Sequence, residues 1–498
     1  MILLGARLQP HDASLSLYDG KSIRFIKTER IKQEKHHGYR WLAEWRDDIK
    51  KEWGLDYRDI DEMALSMHYG IDEYSSMRPI LKDSLCKQFD LFPAPIPVWN
   101  IDHHYAHALS HIGSIEPDVN IVIDEMGEND STWTVFKKDS IVDRGYVSLH
   151  GSIGNLMGNI GAYVGVSSTH VLDLAGKTMG LQSYGRFDRG FYQTIKDLSI
   201  QDINSLFDIG RWIAYHGDHT LANIRVIDWI HTIHVRVGET ILDLFKRHCK
   251  SDDVIHYSGG VAQNVIWNSL LKRHFKNLVI YPHVGDEGTS LGAVEFLRRK
   301  NNLPQVPLID YPFCVHDEAP TSKPSTNTII KTAQYLSEGK IVAWYQGHGE
   351  MGFRALGNRS ILMDPRIEHG KDKINIVKMR ERYRPFGASM LEEHSDRYFD
   401  MPFSNEYMLY VGESKTSDFP AITHVDGTCR IQTVKYGSGV FRDLLERFYY
   451  LTTCPALLNT SLNLAGKPIA GTIAEAEELF ATTPMDVLVV GDTIKTKV

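Results

Sequence analysis

One pattern occurs twice in this chain and constrains its fold more than any single motif. In the first copy, Ile2-Leu3-Leu4 leads into a polar loop, His11-Asp12-Ala13-Ser14, then Leu15 to Tyr18, an Asp19-Gly20 turn and Ile23 to Ile26. Asp-Gly between two apolar runs is a hairpin signal, because tight hairpin turns need positive φ. In the second copy, Asn120 to Ile123 leads into the acidic loop Asp124-Glu125-Met126-Gly127-Glu128. Thr132 to Phe136, a Lys137-Lys138-Asp139-Ser140 turn and Ile141-Val142 follow. Helical sequence separates the copies.

Strand, polar loop and hairpin, repeated, predict a duplicated α/β nucleotide-binding core of the actin and sugar-kinase type. In such a core the loop after the first strand of each half faces a cleft. At 498 residues the chain is too long for one core, so two to four domains are expected. Pro304, Pro307, Pro312, Pro320 and Pro324 accumulate at about 301–328. A boundary there gives a first domain of 1–310 and a second of 325–498, the latter starting with a helix and the strand Ile341 to Tyr345. Five scattered cysteines without CxxC spacing argue against a disulfide framework and for a reducing compartment. The apolar opening is broken by Arg7 and His11, and no stretch reaches the length of a membrane span. A cytoplasmic protein with no membrane partner is expected. A net charge of -8 gives no support for broad nucleic-acid binding but leaves room for a local basic groove.

Chemistry-bearing residues gather in four places. His103, His107 and His111 recur at helical spacing, and imidazoles one turn apart can share a metal ion. Asp124 closes the second-copy strand, and Asp286 lies in a glycine-flanked turn that opens an apolar helix; both could complete the sphere. Mixed nitrogen and oxygen donors suit iron, manganese or zinc. Ser258-Gly259-Gly260-Val261-Ala262-Gln263-Asn264 follows a strand and precedes a helix, the layout of a phosphate clamp. Residues 149–186 are glycine-rich, and Ala175 to Gly185 read as a loop approaching a substrate. Residues 187–252 read as core and rim helices.

The fourth place is Glu350 to Phe386, where nine Lys or Arg face five Asp or Glu inside an acidic protein. Arg354 and Arg359 are interleaved with Ala355, Leu356 and Gly357, so packed structure anchors them. Converging guanidinium forks make an anion site. Downstream, Thr423 to Val434 and Ala456 to Asn463 set polar groups at the ends of apolar strands, as an anion or nucleotide pocket requires.

Taken together these segments resemble the O-carbamoyltransferases of antibiotic and nodulation-factor biosynthesis, over nearly the whole chain. The resemblance is carried by HDAS at 11–14, ER at 29–30 with KH at 35–36, HHYAHA at 103–108, KTMGLQSYG at 177–185, SGGVAQN at 258–264 and GDEGTSLGA at 285–293. RALGNRSI at 354–361, VKMRERYRPF at 377–386, HVDGTCRIQTV at 424–434 and LLNTSLN at 457–463 extend it. It implies a duplicated actin-like domain similar to the universal tRNA threonylcarbamoyl-transfer enzyme. A smaller α/β domain, similar to the enzyme that makes threonylcarbamoyl-adenylate, would follow.

The family's chemistry then implies that Arg354, Lys378, Arg384 and Ser461 hold carbamoyl phosphate, while Arg359, His424, Arg430, Asn459 and Asn463 shape an ATP site. Carbamate derived from carbamoyl phosphate attacks the ATP α-phosphate, giving carbamoyl-adenylate and pyrophosphate. His103, His107, Asp124 and Asp286 match metal ligands. Gly259 and Gly260, with Lys177 and Asn264, match a nucleotide clamp. His11 matches a general base toward the acceptor hydroxyl. Implied cofactors are ATP, Mg2+ and a first-row divalent metal, Fe2+ ahead of Mn2+ or Zn2+. Implied partners are carbamoyl phosphate and a hydroxyl-bearing acceptor, with a homodimer among the expected assemblies. The acceptor is a natural product or sugar-like alcohol, or a hydroxymethylated nucleobase in nucleotide or DNA. Three departures bear on this reading: Gly352-Phe353-Arg354 where relatives usually have Gly-Pro-Arg, the polar Leu181 to Tyr184, and His37-Gly38. Competing readings are tRNA threonylcarbamoylation and a non-enzymatic nucleotide-sensing switch.

Overall fold

The computed structural model describes residues 1–41, 43–66, 79–82, 86–89, 96–111, 116–127, 130–146, 152–197 and 225–497, with 79–82, 86–89 and 146 described by backbone alone. Glu128, the start of the glycine-rich stretch at 149–151 and the helical sequence expected at 198–224 lie outside the described residues. The chain forms two compact units: Met1–Glu29 with His36–Ile309, and Arg30–Lys35 with Asp310–Val498. The hexapeptide at 30–35 thus belongs with the C-terminal sequence, which no composition change announces.

The first unit contains the same sheet twice. Strands β1 (Leu3–Arg7), β2 (Ser14–Tyr18), β3 (Ile23–Lys27), β4 (Glu62–Ser66), β5 (Pro79–Lys82), β6 (Cys86–Phe89) and β7 (Val98–Ile101) pair in the order β3-β2-β1-β4-β7-β6-β5. Strands β8 (Val119–Gly127), β9 (Ser131–Lys137), β10 (Ser140–Tyr146), β11 (Ile255–Ser258) and β12 (Leu278–Val279) pair in the order β10-β9-β8-β11-β12. In both sheets the first three strands are antiparallel neighbours. The next two lie parallel to the first. Two hairpins and two crossovers in the same spatial order make this the duplicated actin-like core that the repeated pattern predicts; the β5–β6 hairpin is an addition to one edge. Ile121, Val122 and Ile123 of β8 are fully buried, and each contributes about 1.5–3 kcal/mol by leaving water.

Two sequence readings need correction. Strand β8 does not stop before Asp124 but runs to Gly127, with its pairing to β9 slipping between Ile123 and Gly127. This irregularity re-aims side chains as a loop would. Ala175 to Gly185 is no loop either, because Leu174–Gln182 is a helix packed on the helix Ile153–Tyr163. The glycine content serves close approach: a Cβ on Gly161 would collide with Thr178 Oγ1.

Close approach also positions the helix Thr289–Lys300. A Cβ on Gly5 of β1 would collide with the Ser290 carbonyl, and one on Gly292 with the Ala106 carbonyl. The helix is thereby wedged between β1 and the helix His103–Leu109, which brings the preceding Asp286 turn toward His103.

The second unit is built on a nine-stranded sheet of β13 (Val342–Tyr345), β14 (Arg359–Met363), β15 (Gly387–Leu391), β16 (Phe399–Asp400), β17 (Val411–Ser414), β18 (Thr428–Val434), β19 (Ala456–Ser461), β20 (Val487–Val490) and β21 (Thr493–Thr496), in the order β16-β17-β18-β15-β19-β14-β13-β20-β21. The basic stretch supplies β14 and leads directly into β15, and these two strands flank β19. Their register sets Ser360 opposite Ser461, and Gly387 opposite both Asn459 and Arg430. Polar residues scattered in sequence are thus gathered at one end of four adjacent strands.

Candidate functional site

In the first unit, His103 and His107 lie one turn apart on the buried helix His103–Leu109, capped by Asp102 through the Tyr105 N–H. Their Nε2 atoms face two carboxylates. His103 Nε2 is 3.1 Å from Asp124 Oδ2 and 3.5 Å from Asp286 Oδ1; His107 Nε2 is 3.3 and 3.4 Å from the same atoms. One donor atom from each of the four residues lies within 4.8 Å of all the others. Ser66 Oγ, 3.2 Å from His103 Nδ1, orients that ring, and the Gly260 N–H donates to Asp124 Oδ1 at 2.8 Å. His107 Nδ1 is buried without a hydrogen-bond partner, while its Nε2 faces the two carboxylates. Imidazole nitrogens beside two converging carboxylates fit a divalent cation. Burial pulls the His103 imidazole down, but Asp286 and Asp124 outweigh it and push it up to about 9. Burial would raise both carboxyls, yet histidine contacts at Asp124, and Arg7 and the histidines at Asp286, hold them well below the usual carboxylate range. His111 lies beyond the helix end, its ring 5.8 Å from that of His256, and is absent from the cluster.

His11 stands beside this cluster, its Nδ1 3.8 Å from Asp286 Oδ2. The same nitrogen is 3.0 Å from Asp12 Oδ2, while Asp12 Oδ1 is 2.9 Å from His36 Nδ1, and His36 Nε2 is 3.4 Å from Asp173 Oδ1. A carboxylate on Nδ1 fixes the tautomer and leaves Nε2 available as a base. Asp12 reaches both rings from a left-handed backbone (φ 50°), a conformation Asp tolerates better than most residues. Asp12 and the His36–Asp173 extension were missed in the sequence reading, although both histidines fall within quoted motifs.

The glycine loop has a different immediate role from a phosphate clamp. Gly259 (φ 93°) packs so closely on Ile123 that a Cβ would collide with its carbonyl, and Gly260 gives its N–H to Asp124. Asn264 caps the helix Val265–His274 through the N–H groups of Ile266 and Trp267, and its amide nitrogen is 2.9 Å from His234 Nε2. Lys177 donates to the Ser167 carbonyl at 2.6 Å.

In the second unit, Lys378 ends the helix Gly370–Lys378 and donates to Ser461 O at 2.5 Å, Ser461 Oγ at 3.1 Å and Asn463 Oδ1 at 2.5 Å. Burial holds Lys378 well below the usual lysine range, and Arg380, Arg384 and Lys35 lower it further. Burial likewise lowers Arg354, with Arg430, Arg384 and Arg380 adding to it. Arg430 is lowered by burial, with Arg384 as the neighbouring cation, to about 10. These groups sense one another as a cluster that demands negative charge. Arg380, absent from the sequence-derived set, lies over the Phe386 ring at 3.9 Å and is tethered to Asn375 and the Pro385 carbonyl. Arg354 lies over the Phe353 ring at 4.3 Å, which explains an aromatic residue where proline was expected.

Two predicted ATP-site residues are engaged in supporting this loop. Arg359 gives its terminal N–H groups to Gln346 O, Gly347 O, Asp317 Oδ1 and Glu318 O, and leaves no terminal fork facing a ligand. Asn459 holds the Ala355 carbonyl and Ser389 Oγ, though its own Oδ1 is buried without a partner. Glu350 completes the support by accepting from the N–H groups of Leu356, Asn358 and Arg359 at 2.8, 2.9 and 3.0 Å. His424 is buried, its N–H bonded to the Thr428 carbonyl.

Residues 86–294 match the family model for the carbamoyltransferase N-terminus, and residues 333–497 match that for the carbamoyltransferase C-terminus. Nodulation protein NolO of Bradyrhizobium diazoefficiens is 30% identical over 78% of this chain and 78% of its own length. The 3'-hydroxymethylcephem-O-carbamoyltransferase of Amycolatopsis lactamdurans is 33% identical over 52% of each chain. Among solved structures, HypF of T. kodakarensis has 12% identity and a TM-score of 0.39, covering 61% of this chain and 48% of its own. No helix among the described residues is long and apolar enough to cross a membrane. With matched segments in both units and a relative aligned over most of its length, the chain belongs to the carbamoyltransferase family and is an enzyme that transfers a carbamoyl group.

Proposed function

We propose that this enzyme is an ATP-dependent O-carbamoyltransferase that makes carbamoyl-adenylate in its second unit and uses it in its first. The observation that carries this reading is the cation cluster of Arg354, Lys378, Arg380, Arg384 and Arg430, in which burial and neighbouring cations, Arg384 among them, lower Arg354, Lys378, Arg380 and Arg430. Such an arrangement costs free energy until polyanions fill it. Carbamoyl phosphate and ATP, as its magnesium complex, supply the negative charge. Hydrolysis of carbamoyl phosphate at its carbonyl–oxygen bond gives phosphate and carbamate. A carbamate oxygen then attacks the ATP α-phosphorus, and the bond to the β,γ-pyrophosphate breaks. Lys378, with Ser461 and Asn463 fixed around it, and Arg384 position the reacting phosphates.

In the first unit, the acceptor hydroxyl gives its proton to His11 Nε2, attacks the carbamoyl carbon, and AMP leaves with the bond's electron pair. Asp12 holds His11 for that task. A divalent first-row metal held by His103, His107, Asp124 and Asp286, with iron the leading candidate, would supply Lewis acidity toward the adenylate phosphate. The acceptor is a small-molecule alcohol; the hydroxymethyl group in the cephem relative's name makes such groups the first to test, with hydroxymethylated nucleotides and DNA in the same panel. Cys249, Cys314, Cys429 and Cys454 are free, which agrees with a cytoplasmic setting. The test is pyrophosphate release by purified protein with ATP, Mg2+ and carbamoyl phosphate. Release that depends on carbamoyl phosphate supports the reading; release that depends on threonine instead would replace it with threonylcarbamoyl chemistry.

A further inference from the structure

The two carboxylates of the His103–His107–Asp124–Asp286 cluster are held from behind in different ways. Asp124 Oδ1 accepts from a neutral donor, the Gly260 N–H, at 2.8 Å. Asp286 Oδ2 accepts from Arg7, the last residue of β1, whose guanidinium is completely buried. The other terminal nitrogen of Arg7 donates to the Ser66 carbonyl at 3.1 Å, and Ser66 Oγ contacts His103 Nδ1 at 3.2 Å. Arg7 thus touches the cluster through two of its members. A neutral donor suffices to orient a carboxylate, as Gly260 demonstrates, whereas a buried cation also repels the metal. Orientation alone therefore does not account for a full charge at this position.

Charge balance gives the account. Two neutral imidazoles and two carboxylates offset a divalent cation and leave a neutral centre. We propose that Arg7 sets the charge of the occupied centre, leaving it one net positive charge so that it attracts the anionic phosphate of the adenylate and of the AMP that leaves it. Of the further carboxylates near the cluster, Asp12 is engaged by His11 and His36, and burial with the neighbouring Asp124 raises Glu125 toward its neutral form. The inference rests on the reading that the adenylate phosphate binds at this metal.

The experiment uses full-length wild type, Arg7→Met and Arg7→Lys loaded with Mn2+. Occupancy is fixed by elemental analysis, and AMP binding is measured by calorimetry with and without metal. The readout is the metal-dependent part of AMP binding, because AMP held by the ATP site of the second unit is common to every sample. Absence of a metal-dependent part in wild type would sink the reading that the adenylate phosphate binds at this metal, and this inference with it. Arg7→Met is expected to keep its metal and lose about tenfold in AMP affinity, while Arg7→Lys stays within about threefold of wild type. Wild-type AMP affinity in metal-loaded Arg7→Met overturns the inference alone. So does loss of metal from that variant, which would assign Arg7 to holding the ligand set. If Arg7→Met does not fold, Arg7→Lys decides, because a tenfold loss of AMP affinity at full occupancy contradicts a role that needs only the charge.

Discussion

The two units solve opposite electrostatic problems. The first gathers two carboxylates and two imidazoles around a point, and without metal these groups pair with each other, His103 and His107 against Asp124 and Asp286. The second gathers cations whose hydrogen-bond acceptors are mostly neutral oxygens, so burial and mutual repulsion lower Arg354, Lys378 and Arg380 together. The difference is in what each site needs. In the first cluster imidazoles and carboxylates offset one another's charge, whereas on the proposed function the charge of the cation cluster is offset by bound polyanions. The proposed function divides the labour accordingly, with activation assigned to the cation cluster and transfer to the His–Asp cluster with His11.

The largest effects should come from the cation cluster. Lys378→Ala or Arg384→Ala removes a fixed positive group facing the phosphates and should lower carbamoyl-phosphate-dependent pyrophosphate release about 100–1,000-fold. Asp286→Asn should instead lower metal content and slow carbamoyl transfer about hundredfold, while pyrophosphate release stays within about twofold. Equal loss of both half-reactions in either variant would break the division between the units. The third expectation concerns pH. His103 must shed its proton to bind metal, and the metal-free site pushes it up to about 9. Metal affinity should therefore rise about tenfold per pH unit below about 9 and level off above it; a flat titration would remove His103 from the ligand set. The same raised value means that His103 pairing stabilises the metal-free fold fully below its ordinary value of 6.5, and that this stability is lost as pH rises through about 9. The smallest effect belongs to Phe353→Leu, which deletes the ring under Arg354. A loss of roughly 0.5–1 kcal/mol of ligand binding is expected, seen as a rise of a few-fold in the KM for carbamoyl phosphate with kcat unchanged.

Legibility in the sequence followed the range of the interaction. The duplicated core was readable because each strand, loop and hairpin carries its own local signal. His103 and His107 were readable as a pair by helical spacing, Asp286 by its glycine-flanked turn, and Asp124 because it follows the apolar run Ile121 to Ile123, although β8 continues past it. Asp12 between His11 and His36 was not, because it depends on side chains 24 residues apart meeting across a loop. Glycines misled at 175–185, since sequence does not separate a flexible turn from a helix packed tightly on its neighbour. Arginines misled for the same kind of reason: Arg354 and Arg359 look alike in sequence. Both lie over an aromatic ring and keep a buried Nε without a partner, but the structure gives the terminal N–H groups of Arg359 four acceptors.

The central claim is that the second unit makes carbamoyl-adenylate and the first unit spends it. Its most direct test supplies synthetic carbamoyl-adenylate and a competent alcohol to metal-loaded Arg384→Ala and follows the carbamoyl mass increment on the alcohol. The account predicts transfer within about threefold of wild type from the supplied adenylate, with product from carbamoyl phosphate and ATP lowered about 100–1,000-fold. Loss of transfer from both sources would contradict it.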